Sequence, residues 1–109
     1  MNLNLPPPLA RYFNAERTDA TDLLADIFTA DAVVRDEGRT MCGLDAITAW
    51  KRDAKAKYQY SVEPIRVSQA ASTVAVLVRL TGAFPGSPIE LKYTFALAGD
   101  KIASLEIRP

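Results

Sequence analysis

Near Tyr58 the spacing of apolar residues switches from that of helices to that of strands, which limits this chain to helices first and a sheet afterwards. Before the switch, Leu9, Tyr12, Phe13 and Glu16 recur at helical spacing. Leu23, Leu24, Ile27 and Phe28 make a second stripe, and Leu44, Ile47, Trp50 and Ala54 a third. After it, Tyr58, Tyr60 and Val62 alternate with polar neighbours, and Ile65 and Val67 continue with opposite parity across Glu63-Pro64. Ile89, Leu91, Tyr93, Phe95 and Leu97 then give a strand with one apolar face.

Local signals set the expected boundaries. Proline suits a first helical turn, so the first helix is predicted over about Pro7 to Arg17. Thr18, Asp19 and Thr21 are expected to cap a short second helix, and Asp31 to cap the turn Thr29-Ala30-Asp31-Ala32. Ala32 to Asp36 reads as extended, Glu37-Gly38-Arg39 as a turn, and Gly43 as the break before a third helix starting near Leu44 or Asp45. Asp45 at one end of that helix and Lys51, Arg52, Lys55 and Lys57 at the other complement its dipole, and the basic run is expected to be solvated. Thr73 to Ala83, apolar on both faces, reads as a covered central strand ended by the Phe84 to Pro88 turn. The parity shifts at Glu63-Pro64 and between Ile102 and Leu105 predict two β-bulges.

At 109 residues, 49% of them hydrophobic, the chain suits one domain over residues 1–109. Thirteen basic residues cancel thirteen acidic ones, which argues against binding to nucleic acid or anionic membranes. No apolar run is long enough for a membrane helix, and a cytoplasmic location is expected. With no histidine and the lone Cys42, zinc chemistry and a Ser-His-Asp triad are excluded. Catalysis would then fall to carboxylates, tyrosine, lysine or arginine, with no cofactor or metal expected.

The helix around Arg11-Tyr12-Phe13, the segment FTADAVVRDEG from Phe28 to Gly38, the stretch GLDAITAW from Gly43 to Trp50 and the closing Lys101-Ile102 hairpin together resemble the SnoaL-like branch of the nuclear transport factor 2-like superfamily. The resemblance implies an α+β fold, a conical barrel of strongly curved, mostly antiparallel sheet wrapped around three N-terminal helices. It also implies an apolar interior pocket and a homodimer formed by the outer face of the sheet. Relatives include isomerases, cyclases, dehydratases and hydrolases as well as proteins that only bind. The histidines of scytalone dehydratase are missing here, and Arg79 lacks the same-face aspartates that limonene epoxide hydrolase would require.

Within this group, ketosteroid isomerase carries a tyrosine on its first helix and an aspartate at the end of its first strand, places that Tyr12 and Asp36 match. The likeness implies that Asp36 moves a proton beside a carbonyl while Tyr12 donates a hydrogen bond to the enolate, both facing one cavity. The second donor of that enzyme, a protonated aspartic acid, has no counterpart in Ile89 to Tyr93, where Tyr93 is the inward group able to replace it. Tyr93, Trp50, Tyr58, Phe28 and Arg79 are the expected ligand-binding residues. Arg79 has two further readings, a dimer contact or an ion pair with a neighbouring strand. The expected function is binding of a small apolar or weakly polar molecule, with isomerisation or cyclisation of a carbonyl compound. The alternative is a noncatalytic dimerisation or ligand-sensing module.

Overall fold

The computed structural model describes residues 4–18 and 23–109, the side chain of Thr18 excepted. The capping roles expected of Thr18, Asp19 and Thr21 fall outside the described residues. The elements are α1 (Pro7–Thr18), α2 (Leu24–Ile27), β1 (Phe28–Asp36), β2 (Arg39–Cys42), α3 (Leu44–Tyr58), β3 (Ser61–Ala70), β4 (Thr73–Thr81), β5 (Ile89–Ala98) and β6 (Lys101–Arg108). Three helices precede the four long strands, as the change of period near Tyr58 demands.

The strands form one six-stranded curved sheet in the order β2-β1-β6-β5-β4-β3. All neighbours pair antiparallel except β1 with β6, which run parallel and are connected through the rest of the chain and not by a hairpin. The fold is α+β. Helix α1 lies against β3 and β6, and α3 against β1 and β2, so the helices cover the concave face.

Both predicted bulges are present. The β3–β4 register slips between Pro64 and Arg66. The β5–β6 register steps from Ala96 opposite Ser104 to Leu97 opposite Ile102, leaving Ala103 as the extra residue. β1 begins at Phe28 rather than Ala32, so Thr29 to Ala32 are strand and not a turn. Their local irregularity survives as a register break against β6 between Phe28 and Val33, with the Thr29 hydroxyl donating to Asp31 at 3.0 Å.

The core is aromatic at its centre. The Tyr12 ring meets Phe13, Phe28 and Phe95 edge-on, with centroids 5.2, 5.9 and 5.6 Å away. Such contacts contribute about 0.5–1.5 kcal/mol each beyond their burial. Val74, Val76 and Val78 face inward from β4, while Leu77 and Arg79 fall on the opposite face.

Candidate functional site

Asp36 ends β1 where the chain reverses tightly into β2. Glu37 and Gly38 both take positive φ, 54° and 75°, as a two-residue hairpin requires, and the reversal fixes Asp36 opposite Arg39. Trp50 reaches the same place from α3, and its indole N–H donates to Asp36 Oδ2 at 3.0 Å.

Asp36 opens on a cavity of about 490 Å3, within the range of about 300–1,000 Å3 typical of small-molecule sites. Five aromatic residues, Trp50, Tyr58, Tyr60, Phe84 and Tyr93, supply walls, and Leu80, Ile89, Leu91 and Ile107 add to the apolar lining. Glu37 also borders it and accepts from the Tyr58 hydroxyl at 3.3 Å. Gly82 lets this wall close: a Cβ there would lie 2.8 Å from the Tyr58 carbonyl oxygen and from Tyr60 Cα. The main chain is instead knitted by the Ala83 N–H donating to the Tyr58 carbonyl at 2.7 Å.

Burial raises the proton affinity of Asp36 above the ordinary aspartate range; the Trp50 hydrogen bond opposes this and the Glu37 charge adds to it. Burial likewise pushes the Tyr93 phenol well above its usual range, with the Glu16 and Asp36 charges adding to the effect. Among the described residues nothing hydrogen-bonds to the Tyr93 hydroxyl, which leaves it able to meet a ligand.

Behind the cavity lies a buried charged cluster. The Lys51 ammonium is 2.9 Å from Glu16 Oε2 and donates to the hydroxyls of Tyr12 at 2.9 Å and Tyr60 at 3.1 Å. It also sits 4.4 Å from the centroid of the Trp50 ring. Burial holds its proton affinity below the ordinary lysine range, against the pull of Glu16. Lys51 is therefore not part of a solvated helix end, because α3 turns it inward and Glu16 on α1 compensates its charge.

The expected residues divide accordingly. Asp36, Trp50, Tyr58 and Tyr93 share the cavity. Tyr12 does not line it: the residue is fully buried, and its hydroxyl accepts from Lys51 and contacts Glu16 Oε2 at 3.4 Å. Phe28 is fully buried in the aromatic core. Arg79 stands on the other face of the sheet between Glu63 and Glu90, at 3.7 and 3.3 Å, the neighbouring-strand pairing among its three readings. Both ion pairs are exposed, a setting worth about 0–1 kcal/mol. Among the described residues no group of three or more acidic or cysteine side chains is placed to hold a metal ion. No helix among them is long and apolar enough to cross a membrane.

Sequence reasoning missed Glu37, Tyr60, Phe84 and Lys51. Tyr60 and Lys51 carried a signal in their spacing, whereas Glu37 and Phe84 sit in turns whose direction no periodicity specifies.

The SnoaL-like domain family matches residues 9–105 of the sequence. The chain belongs to the SnoaL-like family. Among solved structures, a provisionally assigned polyketide cyclase from Sinorhizobium meliloti is 38% identical, with a TM-score of 0.94 and 96% of each chain covered. A protein of ketosteroid isomerase-like fold from Catenulispora acidiphila, in complex with trimethylamine, is 21% identical with a TM-score of 0.84, covering 97% of this chain and 87% of its own. A provisionally assigned SnoaL-like polyketide cyclase from Jannaschia sp. CCS1 is 18% identical with a TM-score of 0.76, covering 98% and 90%. No curated protein sequence matches this SnoaL-like chain.

Proposed function

We propose that the cavity binds a small, flat, largely apolar carbonyl compound and that Asp36 moves a proton on it. One observation carries this reading: a carboxylate whose proton affinity is raised by burial opens on an aromatic-walled cavity large enough for such a molecule. A base of raised proton affinity is better matched to a weakly acidic C–H than an exposed aspartate is. The resemblance to the Sinorhizobium meliloti protein along almost the whole of both chains supports the same direction.

In this scheme the Asp36 carboxylate takes the proton from the carbon beside the carbonyl, and the electron pair of that C–H bond passes into an enolate. The Tyr93 hydroxyl donates to the enolate oxygen, in the role that the sequence resemblance gave to Tyr12. Where the substrate carries a carbon–carbon double bond one carbon further on, the enolate is a dienolate. Returning the proton from Asp36 to its far carbon shifts that double bond into conjugation with the carbonyl and completes an isomerisation. Alternatively, the enolate carbon bonds to a second carbonyl carbon of the same molecule, and Asp36 protonates the resulting alkoxide, which completes a cyclisation. Tyr12 supports this site from behind by holding Lys51.

A second, noncatalytic reading has its own observation. Both cavity carboxylates already accept hydrogen bonds from aromatic residues, Asp36 from Trp50 and Glu37 from Tyr58. Hydrogen–deuterium exchange beside the carbonyl of small cyclic ketones and β-diketones, followed by NMR in D2O, separates the two. Exchange that the protein accelerates, that Asp36→Asn abolishes without loss of binding, and that Tyr93→Phe slows by about 100-fold or more supports proton transfer. Binding with no accelerated exchange across the series would leave the ligand-sensing reading.

A further inference from the structure

We infer that Lys51 is a positioning residue for Asp36, acting through the Trp50 ring that lies between them. This rests on the reading of Asp36 as the working carboxylate, and the geometry forms a chain of three contacts. Glu16 fixes the Lys51 ammonium at 2.9 Å, the ammonium lies 4.4 Å from the Trp50 ring centroid, and the indole N–H donates to Asp36 Oδ2 at 3.0 Å.

Consecutive helix residues diverge and do not normally meet. Here the lysine stem folds back so that its charge reaches the ring of its own neighbour. A cation against an aromatic face draws on the π electrons. Withdrawal of electron density from an indole makes its N–H a stronger donor, and linked polar contacts of this kind reinforce one another in a poorly solvated interior. The cluster thus does more than join α1 to α3, since it strengthens and aims the hydrogen bond that holds one oxygen of Asp36 in place. The second oxygen, Oδ1, is the one left to act on a ligand.

The charged and titratable groups around the two ends are few. Lys51 is surrounded by Glu16 and Tyr12 from α1, Lys55 from its own helix, Tyr60 beside β3 and Asp36 from β1. Asp36 is influenced by Glu37 beside it, Arg39 on β2 and Lys51 on α3, and it in turn acts on Tyr93 of β5. Lys51 favours the ionised carboxylate, and Glu37 opposes it. Removing the ion pair as a unit takes away the Lys51 charge that favours the ionised carboxylate, so the proton affinity of Asp36 rises.

The chain holds one tryptophan, so its indole N–H gives a single NMR resonance that needs no assignment. The test follows that resonance and the Asp36 carboxyl carbon through a pH titration in the wild type and in Glu16→Gln/Lys51→Met, which removes the charge pair together. The indole proton should move upfield and the Asp36 midpoint should move to higher pH. Tyr60→Phe deletes one hydrogen bond to Lys51 but keeps the charge; both signals should stay at their wild-type positions although the protein is less stable. A folded double variant with unchanged signals overturns the inference, and so does Tyr60→Phe shifting them as far as the charge removal does. Trp50→Phe leaves the ion pair intact and must raise the Asp36 midpoint, so an unchanged midpoint overturns the relay whether or not the double variant folds. None of these readouts involves turnover. Failure of the relay is therefore distinguishable from failure of the proton-transfer reading, which the exchange assay alone decides.

Discussion

Replacing Lys51 by methionine removes the cation from a pair whose side chains are 5% and 2% exposed. Three polar contacts go with it, to Glu16, Tyr12 and Tyr60. The carboxylate left behind is already under-partnered, because Glu16 Oε1 accepts no hydrogen bond in this structure and the Lys55 ammonium stays 3.9 Å from it. Breaking one side of a buried pair costs about 3–5 kcal/mol, chiefly through the uncompensated charge. With a urea slope of about 1–2 kcal/mol per M, the unfolding midpoint should fall by about 1.5–5 M. Methionine conserves most of the stem volume, so loss of packing is a minor part. The double variant Glu16→Gln/Lys51→Met removes the orphan charge, and its amide can donate to the Tyr12 hydroxyl; it should recover to within about 2 kcal/mol of wild type. Urea unfolding followed by far-UV circular dichroism measures both. A single variant within about 1 kcal/mol of wild type, or a double variant no better than the single, would show that the pair is not held as a buried charge and would refute the reasoning.

Three further outcomes are expected. Gly82→Ala sets a Cβ 2.8 Å from main-chain atoms of Tyr58 and Tyr60 that no rotamer can relieve, and should cost about 1–3 kcal/mol in urea unfolding; a neutral result would mean that this cavity wall yields easily. Burial holds the Tyr12 and Tyr93 protons well above the usual phenol range, so their stabilisation is present below about pH 10, where the unfolded chain still keeps its phenolic protons, and is lost as pH rises beyond. Lys51, held low, acts in the opposite sense, adding stability as pH rises towards its unfolded value of about 10.4, so the phenol loss is read between about pH 10 and pH 11, and urea midpoints that do not fall there would contradict this. We also expect a homodimer through the outer face of the sheet, where Ala75, Leu77 and Thr94 are only partly exposed; light scattering should give twice the chain mass, Leu77→Asp should halve it, and a wild-type monomer would exclude that face as an interface.

The sheet was legible because alternation has a period of two and tolerates only one assignment of faces. Ile89, Leu91, Tyr93, Phe95 and Leu97 named their own inner side, and the two parity breaks named the bulges at Ile65 and Ala103. What alternation does not encode is which strands lie side by side. The parallel pairing of β1 with β6 joins segments about seventy residues apart, and only the inferred superfamily fold could have supplied it. The start of β1 was misread because Asp31 favours turns and Ala30 is a poor strand former. Pairing to β6 on either side of the break holds them extended all the same.

The site was half legible, and the missed half shows which signal mattered. Leu44, Ile47, Lys51, Ala54 and Tyr58 follow one another at three- and four-residue steps, so Lys51 stands on the buried stripe of α3 by spacing alone. Glu16 occupies the matching place on α1, four residues after Tyr12 and seven after Leu9. An acid on one buried stripe and a base on another can each avoid the cost of burial only by meeting, so the two stripes predict the ion pair that the charge count, read as a solvated run, concealed. Once that pair is in place, Tyr12 has a partner for its hydroxyl inside the core and no reason to reach the cavity. Among the phenols that line the cavity, Tyr93 is carried there by the one strand whose facing the sequence states most plainly.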